Sequence, residues 1–118
     1  MRLHVLPSRH CLRQNRFDLL VVIDVLLSTT TLLTAMECLP DRIFVDPTME
    51  QATLRAASLG PGVVLGGEQN GREPDGSDVG ALPTAYTPDL LAGRQLVFVS
   101  NNGTPALTAA DAMSLEDF

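Results

Sequence analysis

The stretch "LLVVIDVLLSTTTLLTAMECL", residues 19–39, decides how the rest of the chain is read. Its first part, "LLVVIDV" (19–25), is continuous, apolar and rich in β-branched side chains, the pattern of a strand buried on both faces. One carboxylate, Asp24, stands near its end, and Ser28, Thr29, Thr30 and Thr31 crowd the turn that follows. From residue 28 the spacing becomes helical, with Leu32, Ala35, Met36 and Leu39 on one stripe and Pro40 ending a helix over 28–39. The junction is either a strand meeting a capped helix or the floor of an anion or metal site.

Working outward, "LHVL" (3–6) reads as a short strand and "RQNRF" (13–17) as a polar connection. "RIFV" (42–45) is a further strand, followed by a helix within "DPTMEQATLRAASLG" (46–60), which has an Asp or Thr cap, an early Pro and Glu, and a terminal Gly. "GVVLGG" (62–67) is another buried strand. The long polar segment 68–84, "EQNGREPDGSDVGALPT", is a loop of the length that usually carries function. A short helix at 88–94, a strand "QLVFVS" (95–100) and a helix at 101–113 complete the order. Alternating strands and helices predict parallel pairing with right-handed crossovers. The expected architecture is a single domain, α/β, three-layer α/β/α with a mostly parallel sheet.

Composition narrows the function classes. The chain has 118 residues, 45% of them hydrophobic and 19% charged, which suits a packed core rather than disorder. A net charge of −6 argues against a nucleic-acid partner. All eight basic residues are arginine, so lysine chemistry, Schiff base or P-loop, is excluded. Cys11 and Cys38 are too few and too scattered for a zinc site or a disulfide scaffold. No stretch reaches about 18 uninterrupted apolar residues, so no membrane span is expected, and a reduced, cytoplasmic protein is the default.

In open parallel sheets, ligands bind beyond the carboxyl ends of the strands. Three polar clusters fall there: Asp24 with residues 28–31; Gly66, Gly67, Glu68 and Asn70; and Ser100, Asn101, Asn102, Gly103 and Thr104. Each has a plainer reading. Ser28 or Thr29 could be an N-cap worth ~1 kcal/mol, "GGEQNG" a tight glycine turn, and "NNGT" a turn and cap. Asp24 is harder to explain away, because a carboxylate at the end of a buried strand needs amides, a proton or a cation such as Mg²⁺. Glu68 could be a second ligand or a general base.

Three motifs, "VVIDVLLSTTTLLTA", "GGEQNGREPDGSDVGALPTAY" and "LVFVSNNGTPAL", resemble in order and spacing those of the 2-phosphosulfolactate phosphatase family. The resemblance implies an Mg²⁺-dependent hydrolysis of a small phosphorylated acid on the route to coenzyme M. It implies Asp24, Glu68 and Asp78 as catalytic residues, with Asp24 and Glu68 at the metal. Thr29, Thr30, Thr31, Asn70, Asn102, Gly103 and Thr104 would surround the phosphate. Two family arginines are replaced here, by Leu27 and Gln69, and the family's Asn-Ser-Pro is Ala81, Leu82 and Pro83. Losing two charge-assisted bonds of ~1.5–3 kcal/mol each is expected to slow turnover of that substrate by two to four orders of magnitude. Family members are roughly twice as long, so the match covers their N-terminal half and the domain is incomplete relative to them. The rival expectation is a non-catalytic remnant that kept the fold as a binding or structural module. Open sheet edges and apolar faces further predict a homo-oligomer.

Overall fold

The computed structural model describes residues 1–12 and 17–116. Three strands, β1 (Arg42–Asp46), β2 (Val64–Gly67) and β3 (Gln95–Val99), form one parallel sheet with β3 in the middle. The helices are α1 (Ser28–Glu37), α2 (Met49–Leu59), the single turn α3 (Pro88–Leu91) and α4 (Gly103–Glu116). The α/β class with a parallel sheet is therefore as expected.

Period-2 alternation along β3 divides the core into two halves. Leu96 and Phe98 point to one face, where with Val64 they meet Leu32 and Ala35 of α1, Tyr86 and Leu91. Val97 and Val99 point to the other, where with Leu65 they meet Ala52 of α2. Leu107 of α4 packs on the α1 side, which gives helices on both faces of the sheet. Helix α2 is bounded by its own chemistry: the Thr48 hydroxyl accepts from the Gln51 amide at 3.2 Å, and Gly60 leaves the helix at φ 86°.

The strand readings at 3–6 and 19–25 are corrected. Neither segment joins the sheet. Leu19, Val21, Ile23 and Val25 are 78%, 71%, 77% and 63% exposed, while Leu20, Val22 and Asp24 are half-buried. The segment has cover on one side only. A 740 Å³ cavity separates residues 17–22 from the end of β1 at Val45 and Asp46. A continuous apolar run reports side-chain hydrophobicity, and nothing in it says whether a ladder forms.

The buried stripe of α1 also differs. It is Ser28, Thr31, Leu32 and Ala35, with Cys38 at the end, whereas Met36 and Leu39 are exposed. The helix ends before Pro40 because Leu39 turns left-handed at φ 57°. The remaining elements match in type, with ends shifted by a few residues, and the polar connection expected at 13–17 falls mostly outside the described residues. Among the described residues no helix is long and apolar enough to cross a membrane.

Candidate functional site

The free edge of β2 is closed by the long loop. The Asp78 amide donates to the Leu65 carbonyl at 2.7 Å, the Leu65 amide donates to the Asp78 carboxylate at 2.8 Å, and Gly67 donates to Val79 at 3.2 Å. Asp78 thus holds a strand edge, well back from the strand's carboxyl end. This close approach explains the paired glycines: a Cβ on Gly66 would collide with the Tyr86 hydroxyl and Val79, and one on Gly67 with the Val99 backbone. Tyr86 in turn donates to the Gly80 carbonyl at 2.6 Å. Its burial, with the Glu73 carboxylate adding to the effect, pushes the phenol well above its ordinary value.

Beyond β2, Gln69 and Arg72 exchange backbone hydrogen bonds of 2.9 and 3.0 Å across Asn70 (φ 53°) and Gly71 (φ 76°). Two consecutive positive φ values make this a type I′ turn, for which Asn-Gly is the favoured pair. Glu68 fastens the turn to the neighbouring strand end. One carboxylate oxygen accepts from Gly71 at 2.9 Å and the other from Asn101 at 3.0 Å. Asn70 and Asn101 are joined side chain to side chain at 3.2 Å.

At the end of β3, Ser100 and Thr104 cap one another: Thr104 donates its amide to the Ser100 hydroxyl, and Ser100 donates its amide to the Thr104 hydroxyl, both at 3.0 Å. Thr104 is fully buried and has no group left for a ligand. Asn102 is exposed, and its side-chain oxygen accepts from Arg9 at 3.3 Å.

The start of α1 is not capped by Ser28 or Thr29. Its cap position is Leu27, with no side-chain cap. Thr29 and Asp24 clasp each other instead: the Asp24 amide donates to the Thr29 hydroxyl at 2.8 Å, and the Thr29 amide to the Asp24 carbonyl at 3.0 Å. The Thr30 hydroxyl donates to Val25 at 2.8 Å, and that of Thr31 to the carbonyls of Leu27 and Ala81. A hydroxyl has one proton, so of these three threonines only Thr29 keeps its own for a ligand.

The clasp holds Asp24 against the first residue of α4. A Cβ on Gly103 would overlap the Ser28 side chain and come within 3.2 Å of Asp24 Oδ2. The carboxylate therefore stands at a helix N-terminus, where the dipole favours negative charge. Among the described residues it accepts no hydrogen bond and makes no ion pair.

Asp24, Ser28, Glu68 and Asn102 line one cleft of 520 Å³, together with Leu27, Arg72 and Glu73. The larger cavity beside β1 lies elsewhere, and its Asp46 and Arg55 already pair at 2.8 Å. Of the expected site residues, the fold brings Asp24, Glu68 and Asn102 to the cleft. Asn70, Gly103 and Thr29 support it, whereas Thr30, Thr31, Thr104 and Asp78 are used in holding the backbone. Arg72 and Arg9 were not expected. The Asn-Gly pair carried the signal for Arg72, since a two-residue turn sets it opposite Gln69; the sequence holds none for Arg9.

Fold and site together define an α/β domain with a polar, carboxylate-bearing cleft at the carboxyl ends of parallel strands. The family model for 2-phosphosulpholactate phosphatase matches residues 6–115. The chain belongs to that family. Relatives named "Probable 2-phosphosulfolactate phosphatase" include those of Clostridium acetobutylicum, 33% identical over 91 residues (77% of this chain, 39% of the relative), and Deinococcus radiodurans, 35% identical over 106 residues (90% and 42%). That of Synechococcus sp. (strain CC9605) is 37% identical over 93 residues (78% and 38%). The match thus spans about two fifths of each relative's length.

Proposed function

We propose that the cleft is the phosphate-and-metal part of a 2-phosphosulfolactate phosphatase-type site, acting on a small phosphorylated acid with Mg²⁺. The observation that carries this reading is the Asp24 carboxylate, unpaired among the described residues, half-buried and in the same cleft as Glu68 and Asn102. A bare carboxylate so placed is a ligand for a hard cation. No group of three or more Asp, Glu, His or Cys side chains among the described residues could enclose a metal. Mg²⁺ would need only one or two carboxylates here, with water and substrate phosphate in its remaining positions.

Asp24 is the primary ligand. Glu68 has lone pairs beyond the two that its amide donors use, so it can add a second bond while still holding the turn. When bound, Mg²⁺ neutralises charge on the transferring phosphoryl group and favours deprotonation of a water. The chain's own part is positioning: the Thr29 hydroxyl and the backbone at the start of α4 offer donors to phosphate oxygens, and Leu27 and Leu82 present an apolar wall. A role in coenzyme M formation, a cytoplasmic location and a homo-oligomeric state belong to the same reading.

The apolar Leu27 in the cleft favours a second reading, a binding module that retains the ligand without turning it over. Phosphate release from 2-phosphosulfolactate separates the two. The phosphatase reading expects slow, Mg²⁺-dependent release that Asp24→Asn abolishes and that the Leu27→Arg, Gln69→Arg double variant accelerates. Absence of release from both the native chain and the double variant favours the binding module.

A further inference from the structure

The sequence lacks a basic residue at 69, yet the cleft does not lack a guanidinium. Arg72 lines it, and among the described residues its side chain makes no ion pair and no hydrogen bond. An unpaired arginine beside carboxylates would ordinarily pair with one of them. Here the Glu68 carboxylate is already held by the Gly71 and Asn101 amides, and Asp24 lies against the start of α4.

The turn explains where Arg72 points. Gln69 and Arg72 form an antiparallel bridge closed by reciprocal backbone bonds. Directly opposed residues in such a pair project to the same face, with Cβ atoms ~4.5–5.5 Å apart. A cation at 72 therefore projects to the same face of the turn as one at 69, and of the two positions only Arg72 lines the cleft. The type I′ turn is closed by its backbone and by Asn70 and Gly71, so it needs nothing from the Arg72 side chain.

Resting on the phosphatase-type reading above, we infer that Arg72 is the residue that binds the anionic group of the ligand, reaching across the turn to the place an arginine at 69 would occupy. The ligand class is a phosphate monoester dianion. A guanidinium suits it because its fork donates two parallel bonds to two phosphate oxygens, which an ammonium cannot do. The carboxylates nearby make a cation at Asp24 a condition of binding rather than a competitor. Arg72 takes the anion while the metal offsets the acidic wall.

The test is titration of the 118-residue chain with inorganic phosphate at saturating Mg²⁺, followed by calorimetry or phosphorus NMR. Arg72→Ala is expected to weaken phosphate binding ~10- to 100-fold, the range for one charge-assisted contact, and Arg72→Lys to recover only part of it. The double variant Gln69→Arg, Arg72→Ala is expected to restore binding to within a few-fold, a rescue that a structural role for Arg72 would not produce. Unchanged circular dichroism and Mg²⁺ affinity in Arg72→Ala show that the fold and metal ligands are intact. Phosphate binding by Arg72→Ala within twofold of the native chain overturns the role of Arg72 and leaves the phosphatase reading standing. No phosphate binding by the native chain overturns both.

Discussion

Gly103→Ala probes the contact that holds Asp24 in place. The new methyl would meet the Cβ and Oγ of Ser28, a side chain only 4% exposed and therefore with little room to move. Overpacking a tight site of this kind costs ~1–3 kcal/mol. Against it stands the ordinary gain of replacing glycine by alanine in a helix, ~0.5–1 kcal/mol, which is smaller in the first turn. The net expectation is a destabilisation of about 0.5–2 kcal/mol. Sterics rather than backbone strain is the cause, so removing the opposing side chain should relieve it. Ser28→Gly alone costs ~0.5 kcal/mol in helix propensity, but in the Gly103→Ala background it clears both colliding atoms. Urea unfolding of the four species of this double-mutant cycle is expected to give a favourable coupling of at least ~1 kcal/mol. Additivity within about 0.5 kcal/mol, or a Gly103→Ala variant more stable than the native chain, would refute the packing of α1 against α4 at the site.

Glu68→Gln leaves one acceptor oxygen where two amides now donate, and is expected to lower stability by ~0.5–1.5 kcal/mol. Amide exchange at Gly71 or Asn101 should accelerate, and unchanged exchange at both would show that Glu68 does not fasten the turn. Tyr86, whose phenol burial keeps protonated in the folded state, should make the protein sensitive to alkali. The unfolded chain releases that proton near pH 10 while the folded chain retains it, so stability is complete below pH 10 and falls above it. The slope is at most ~1.4 kcal/mol per pH unit. Tyr86→Phe should flatten this part of the profile while lowering stability at neutral pH, through loss of the bond to Gly80.

The sequence marked the central layer well because β3 is covered on both sides, and a continuous run such as "LVFV" has no other use in a small domain. The same signal misled at 19–25, where the run is as apolar but the chain covers one side only. Asp24 and Glu68 were legible as members of one cleft from their places after apolar runs. The roles of neighbouring hydroxyls were not legible, since residue type does not say whether a proton goes to a ligand or to a carbonyl. Thr31 donates to Ala81, fifty positions away, a partner that no local pattern could have named. Asp78 entered as a site residue through the family resemblance, and no local pattern announced that its carboxylate accepts from the Leu65 amide at the edge of β2.

The most direct test is thermal unfolding of the native chain and of Asp24→Asn with and without Mg²⁺. A cation that binds only the folded state stabilises it by mass action. With a dissociation constant of about 1 mM, 10 mM Mg²⁺ contributes ~1.4 kcal/mol, roughly 4–8 °C in a small domain. The expected result is a shift of that size in the native chain, absent with Ca²⁺-free, Mg²⁺-free buffer and abolished by Asp24→Asn. Equal melting temperatures with and without Mg²⁺, or an equal shift in Asp24→Asn, would show that Asp24 holds no metal and that the cleft is not the site proposed.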